Sequence, residues 1–267
     1  MLTLQNGDLV SAGADHRIQI WDIKNRTLKQ TLTGHTSWIR DLKVVENNCL
    51  VSASEDKTIR IWNLADGTLN KTLKEHTAGV KHLALLKNGD LASGSSDKTI
   101  KVWNINDGSV KKTLEGHTNA VWALALLNNG DLVSASEDKE IKIWDVDAGV
   151  VKRTLAGHEG AVFVLVLLTN GDLVSGSEDK SIKIWNAEDG TVKRTLMGHT
   201  EYVYKLIQLN NGELVSASGD RTIKIWNVED SAVIKSKKVN SEALSFELLR
   251  TGYLVSGCRD GTIKIWE

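Results

Sequence analysis

Histidine, serine and aspartate recur in this chain at fixed distances from a tryptophan. Those three types are the ones from which hydrolases build a nucleophile, its base and the group that orients the base. Counting back from Trp62, Trp103, Trp144, Trp185 and Trp226, an Asp stands six residues earlier (Asp56, Asp97, Asp138, Asp179, Asp220) and a Ser ten earlier (Ser52, Ser93, Ser134, Ser175, Ser216). A His stands 27 earlier (His35, His76, His117, His158, His199). Trp21 and Trp266 keep the Ser and Asp, as Ser11 with Asp15 and Ser256 with Asp260, but have no such His. Nucleophilic catalysis needs one activated constellation beside an oxyanion hole, and no Gly-x-Ser-x-Gly elbow accompanies any of these serines. No His has a second His or Cys at ligand spacing, which argues against a metal site. Repetition in five equivalent copies therefore points to structure and away from chemistry. No catalytic residue, cofactor or metal is expected. His16 and His82 fall outside the pattern and are expected to be exposed and unremarkable.

The elements that must position these residues follow from the period. Successive tryptophans lie 41 residues apart five times and then 40, and a repeat of this length means stacked or radially arranged supersecondary units. In residues 117–157, the apolar run Val121–Leu127 ends at Asn128-Asn129-Gly130-Asp131 and reads as a buried strand and a turn. Leu132–Ser136, Ile141–Trp144 and Val150–Leu155 read as three further strands, so each repeat is a four-stranded antiparallel meander. Asn-Gly recurs at Asn6-Gly7, Asn88-Gly89, Asn129-Gly130, Asn170-Gly171 and Asn211-Gly212, with Asn47-Asn48 and Thr251-Gly252 as variants. A type I′ turn, with positive φ at both central residues, is expected there. Strands this short make no stable isolated sheet. Seven sheets packed face to face around an axis bury both faces of each, giving an all-β, seven-bladed β-propeller. A solenoid is disfavoured, since no segment shows a sustained 3.6 period.

Composition narrows the function classes. With 33 Lys and Arg against 34 Asp and Glu, the net charge of −1 offers no general attraction for nucleic acid or an anionic membrane. Cys49 and Cys258 occupy non-equivalent positions in different repeats, which suits a reducing compartment and a cytoplasmic or nuclear location. No apolar run approaches a membrane span and the first residues carry no signal-peptide pattern. Proline is absent, so every turn falls to Gly, Asn, Asp and Ser.

Gly-His at Gly34-His35, Gly116-His117, Gly157-His158 and Gly198-His199 closes one unit, and Trp-Asp at Trp21-Asp22 and Trp144-Asp145 closes a third strand. Together with the Ser and Asp ahead of that strand, these residues resemble the WD-repeat β-propeller family along the whole chain. Departures are Glu75-His76 and the Asn or Glu that follows the other tryptophans. The resemblance implies that Asp holds His, His bonds the Ser hydroxyl, and the hydroxyl takes the indole N–H. It also implies a single domain over 1–267, with blades at about 1–34 (partial), 35–75, 76–116, 117–157, 158–198, 199–238 and 239–267. Seven full periods of 41 residues would need 287, 20 more than are present, so both terminal blades are expected to be incomplete and the last to lack its fourth strand. A fragment of a longer protein is the favoured explanation, with an edge covered by a partner or second copy as the other.

Partners of such propellers are often gripped near the loop after Gly-His and the residue before the turn Asp. His plus 3, His plus 5 and Asp minus 1 give Trp38, Arg40 and Glu55; Lys81; Trp122 and Glu137; Phe163 and Glu178; Tyr202 and Tyr204. Aromatic clustering with a few charges marks interface anchors. The competing reading of Trp122 and Phe163 is core packing. The expected function is a non-enzymatic scaffold binding a protein or peptide at this aromatic, acidic mouth, with the glutamates and rings suiting a Lys or Arg. A phosphopeptide adaptor is the alternative, resting on Arg40, Lys81 and Arg259; an enzyme, or a single-strand nucleic-acid binder stacking bases on the rings, is less favoured.

Overall fold

The computed structural model describes residues 1–46, 48–249 and 252–266, and every regular element among them is a β-strand. The chain divides into two compact units, Met1–Leu124 and Ala125–Glu267. In the first unit, the first sheet comprises Leu2–Thr3, Leu9–Ala12, Ile18–Asp22 and Thr27–Leu32. The second comprises Ile39–Val45, Cys49–Ser54, Ile59–Asn63 and Leu69–Leu73, and the third Val80–Leu85, Leu91–Ser95, Ile100–Trp103 and Val110–Leu114. The fourth sheet is made of Val121–Leu126, Leu132–Ser136, Ile141–Asp145 and Val150–Leu155. In the second unit, the fifth sheet comprises Val162–Leu167, Leu173–Ser177, Ile182–Trp185 and Val192–Leu196, and the sixth Val203–Gln208, Leu214–Ser218, Thr222–Trp226 and Val233–Lys238. The seventh has three strands among the described residues, Ala243–Leu248, Leu254–Cys258 and Ile263–Trp266. In every sheet the strands lie side by side in chain order.

Why the sheets take this form can be read from the second strands. Leu91–Ser95, Leu173–Ser177 and Leu214–Ser218 are buried at every residue instead of alternating, because both faces are covered. Small residues permit the close approach. A Cβ at Gly94 would lie 2.7 Å from Val121 Cγ1, and one at Gly176 would lie 2.8 Å from Val203 Cγ1. The third and fourth strands slip register at the tryptophan in all six complete sheets, as at Ile61/Trp62 and Ile184/Trp185. Such a bulge locally increases twist.

The Asn-Gly turns differ from expectation. Gly7, Gly89, Gly130, Gly171 and Gly212 have φ between 85° and 94°, but none of the preceding asparagines has positive φ. Leu86 N–H donates to Asp90 O at 2.8 Å and Gly89 N–H to Leu86 O at 3.0 Å. That pattern is a three-residue loop, a type I turn closed by a left-handed Gly, in place of the two-residue type I′ hairpin. The Asn side chain does different work: its Oδ1 accepts the N–H of the Asp two residues on, 3.0 Å for Asn88 and Asp90. Of the two variant turns, Asn47 and Thr251 lie outside the described residues, as does Glu267 after the last tryptophan.

Candidate interaction surface

In the fifth sheet the ring of His158 lies 2.7 Å from Asp179 Oδ2 through Nδ1 and 2.6 Å from Ser175 Oγ through Nε2, and Trp185 Nε1 donates to Ser175 Oγ at 2.8 Å. An ionised carboxylate only accepts, so Nδ1 carries the proton, Nε2 accepts the Ser hydroxyl, and the hydroxyl oxygen accepts the indole. The same three contacts join His35, Asp56, Ser52 and Trp62. They recur among His76, Asp97, Ser93 and Trp103, and among His199, Asp220, Ser216 and Trp226. Trp144 donates to Ser134 at 2.7 Å, Asp138 accepts the Glu140 N–H at 3.1 Å, and His117 is buried. The units without His keep the last link, Trp21 to Ser11 and Trp266 to Ser256, both at 2.8 Å.

Electrostatics follow from this geometry. Burial pushes the Asp56, Asp97 and Asp179 carboxyls up, but hydrogen bonds from the paired His, a neighbouring hydroxyl and a backbone N–H outweigh it and hold them well below the usual carboxylate range. Burial lowers the His199 pKa against the opposing pull of Asp220, which favours the neutral ring. In these four networks the Ser hydroxyl meets both the His and the indole, and the His is held at both nitrogens. The arrangement locks the strands of a sheet together.

The surface residues are organised by a second recurring bond. The N–H of the residue before each turn Asp donates to the carbonyl three residues after each His: Glu55 to Trp38, Ser96 to Gly79, Glu178 to Ala161 and Gly219 to Tyr202, at 2.8 to 2.9 Å. The two positions are therefore neighbours, and their side chains compete for one space. A Cβ at Gly219 would sit 2.6 Å from the Tyr202 ring.

In the first unit five of the sequence-derived positions form one chain. Arg40 lies 4.8 Å over the Trp38 ring and donates to Glu55 Oε1 at 2.6 Å. Lys81, in the next sheet, meets the same oxygen at 2.5 Å and lies 4.5 Å from the Trp122 ring centre. Burial raises the Glu55 pKa, but Lys81 and Arg40 prevail and hold it down. Glu55, expected to await a basic partner, is thus already neutralised by two cations of its own chain. In the second unit Phe163 meets Tyr202 edge-on at 6.2 Å, and Tyr202 meets Tyr204 at 5.6 Å. All three rings are half-exposed. The Tyr204 hydroxyl oxygen is nonetheless buried without a hydrogen-bond partner, and burial pushes its pKa up. Glu178 is exposed and accepts the Ala161 N–H at 3.2 Å, while Glu137 is exposed at its turn.

Two further features escaped the sequence reading. His82 is engaged: its Nδ1 accepts the Leu124 N–H at 3.4 Å and stands 3.6 Å from Asp41. A Lys eight residues after Trp pairs with an Asp thirteen before it, at 2.7 Å for Lys29–Asp8 and Lys111–Asp90, 2.6 Å for Lys152–Asp131, and again for Lys193–Asp172. Their constant separation of 21 residues was readable. Where the Asp position holds Cys49 or Glu213, the Lys position holds Asn70 or Ile234.

The family described as WD domain, G-beta repeat matches residues 26–63, 67–104, 108–145, 149–186, 190–227 and 249–267. The chain belongs to the WD40 family. Among solved structures it is similar to the WD40 β-propeller domain of Doa1, with a TM-score of 0.89 and 27% identity over 100% of this chain and 90% of that one. No curated protein matches it. The fold class is thus the seven-bladed WD40 β-propeller of four-stranded antiparallel sheets, with three strands in the last among the described residues. WD40 propellers are in general interaction scaffolds that bind protein partners. Residues 1–25 and 228–248 fall outside the matched repeats, and Val239 in the second stretch stands 27 residues before Trp266, where other repeats place His.

Proposed function

We propose that this WD40 chain is a non-enzymatic scaffold that takes a Lys or Arg side chain of a peptide or protein partner against the Phe163, Tyr202 and Tyr204 rings of its second unit. The observation carrying this reading is the contiguous, half-exposed chain of three rings with a buried, unpartnered hydroxyl at one end. A cation over an aromatic face gains about 0.5 to 2 kcal/mol depending on desolvation. Glu178, exposed and held by its bond from Ala161 N–H two residues from Phe163, supplies the counter-charge. The first unit supports a basic ligand less well, because Arg40 and Lys81 already occupy the indole faces and Glu55. Those two cations on one carboxylate favour the alternative of an acidic or phosphorylated segment that competes with Glu55. A non-enzymatic role is supported by the saturation of every His–Ser pair in the four networks described.

The test is capture on an immobilised peptide library in which each Lys is either free or acetylated. Retention of free-Lys peptides, lost in a Phe163→Ala, Tyr202→Ala double variant, is the expected result. Undiminished capture by that variant, or preference for phosphorylated acidic peptides, overturns the reading.

A further inference from the structure

The asparagines of the five Asn-Gly turns, Asn6, Asn88, Asn129, Asn170 and Asn211, are all exposed. Asn-Gly is the dipeptide at which a backbone nitrogen most readily attacks the preceding side-chain amide, because glycine sets no Cβ in the way of the ring that closes. In all five turns the Gly N–H donates to a Leu carbonyl at 2.9 to 3.0 Å, and the Asn Oδ1 accepts the N–H two residues on at 2.9 to 3.1 Å. The backbone is common to them, so a difference in reactivity has to come from the side chains.

Four of the five amides are held a second time. Asn6 Nδ2 donates to Asp8 Oδ2 at 2.8 Å, Asn88 to Asp90 at 3.0 Å, Asn129 to Asp131 at 2.9 Å and Asn170 to Asp172 at 3.1 Å. Each of these carboxylates is anchored by a Lys on the fourth strand of its own sheet, Lys29, Lys111, Lys152 or Lys193. The amide is thereby fixed against the rotation that would bring its Cγ over the Gly nitrogen. The sixth sheet lacks the whole clamp. Glu213 stands where the Asp would be, and Ile234, 52% exposed, stands where the Lys would be. Asn211 keeps its Oδ1 bond from Glu213 N–H, but its Nδ2 has no hydrogen-bond partner among the described residues.

We infer that Asn211 is a site of spontaneous covalent modification, deamidating through a cyclic imide while the other four Asn-Gly pairs are held back by their Asp and Lys clamps. The Gly212 nitrogen, its proton taken by hydroxide, attacks Asn211 Cγ. The N–Cγ bond forms, the Cγ–Nδ2 bond breaks, and the departing nitrogen takes a proton from water and leaves as ammonia, which restores the hydroxide. Water then opens the imide, either at the side-chain carbonyl to give Asp or at the main-chain carbonyl to give isoaspartate. The sum is one amide and one water converted to one carboxylic acid and one ammonia, with nothing oxidised or reduced. Isoaspartate routes the main chain through the former side chain, which lengthens a turn that Leu209 N–H and Glu213 O close at 2.8 Å, and it adds a negative charge beside Glu213. The change falls between the strands Val203–Gln208 and Leu214–Ser218, at the end of the first strand away from Tyr204. It shares no residue with the Phe163, Tyr202 and Tyr204 rings and does not depend on what they bind.

The test is peptide mapping by mass spectrometry of the folded 267-residue chain aged at mildly alkaline pH, with isoaspartate separated from Asp by chromatography. Asn211 should deamidate about tenfold or more faster than any of the other four, the factor set by releasing a hydrogen bond to a charged group before attack. In denaturing urea all five should age at similar rates, because the clamps no longer exist there. Glu213→Asp together with Ile234→Lys installs the clamp in the sixth sheet and should slow Asn211 to the rate of Asn170. Asp172→Ala should in turn raise Asn170 toward the rate of Asn211. The inference is overturned if Asn211 is no faster than the other four in the folded protein, if its lead persists in urea, or if the installed clamp leaves its rate unchanged.

Discussion

Removing one buried oxygen should destabilise this protein more than its size suggests. Ser175 is 0% exposed and its Oγ serves two partners, Trp185 Nε1 at 2.8 Å and His158 Nε2 at 2.6 Å. In Ser175→Ala both partners lose that contact at once. The vacated volume of a single oxygen is too small for a bridging water. A buried polar group left unsatisfied costs about 1 to 3 kcal/mol, so the two orphans together cost about 2 to 6 kcal/mol. Trp185→Phe removes the donor and part of the ring, which should cost about 1 to 3 kcal/mol from lost packing and one hydrogen bond. The double variant is the decisive one, because without the indole N–H only one orphan remains. Its destabilisation should fall short of the sum of the singles by about 1 to 3 kcal/mol. Urea unfolding followed by far-ultraviolet circular dichroism and by fluorescence, with unchanged m values, measures all three. Additivity within about 0.5 kcal/mol would refute the shared-hydroxyl reasoning.

Within the sixth sheet, Trp226→Ala should cost about 3 to 5 kcal/mol and exceed His199→Ala, a ranking that the same urea series tests. Lys139 has φ of 73° in its turn, so Lys139→Gly should raise stability by about 0.5 to 1 kcal/mol, read as a higher urea midpoint. Stability should fall with acid from two sources, resolved by urea midpoints from pH 8 to pH 3. His199, whose folded pKa is depressed, is neutral in the fold, so the unfolded chain gains protons first as pH drops through the ordinary His value. The Asp56, Asp97 and Asp179 carboxyls are also depressed, so their contribution is intact above the unfolded Asp value and is lost as pH falls toward the folded ones. Tyr204→Phe should leave the free protein as stable or more so, since it removes an unpartnered buried hydroxyl, and a thermal melt checks the sign.

Most of the fold was legible because its determinants are local and repeated. Strands at Leu132–Ser136 and Val150–Leu155 fall where their apolar runs and flanking turn residues place them, and Leu173–Ser177 and Val192–Leu196 are the same segments one period later. The turn type was not legible, because Asn-Gly serves both a two-residue and a three-residue loop and the strand ends decide between them. Nor was the engagement of His82, whose partner Leu124 N–H lies 42 residues away in the first strand of the next repeat. The Glu55 contacts were hidden for a related reason. They depend on Gly79 in the following repeat, since a Cβ there would collide with the Glu55 carboxylate.

That dependence bears on how a WD40 surface acquires specificity. The His–Ser–Trp network and the buried second strands recur nearly unchanged from sheet to sheet, so they cannot distinguish one partner from another. Variation is pronounced at His plus 3 and Asp minus 1, which a backbone hydrogen bond holds side by side. Where one of the pair is Gly, the other can lie flat across the turn, as Tyr202 does over Gly219. Where the next repeat offers Gly79, Glu55 crosses into it and gathers Lys81. Under the function proposed above, the unit of recognition is a pair of residues and its neighbour in the adjoining sheet. Exchanging Gly219 for Ala should displace the Tyr202 ring and alter binding without touching any residue that meets the ligand, while leaving the networks of the sheets intact.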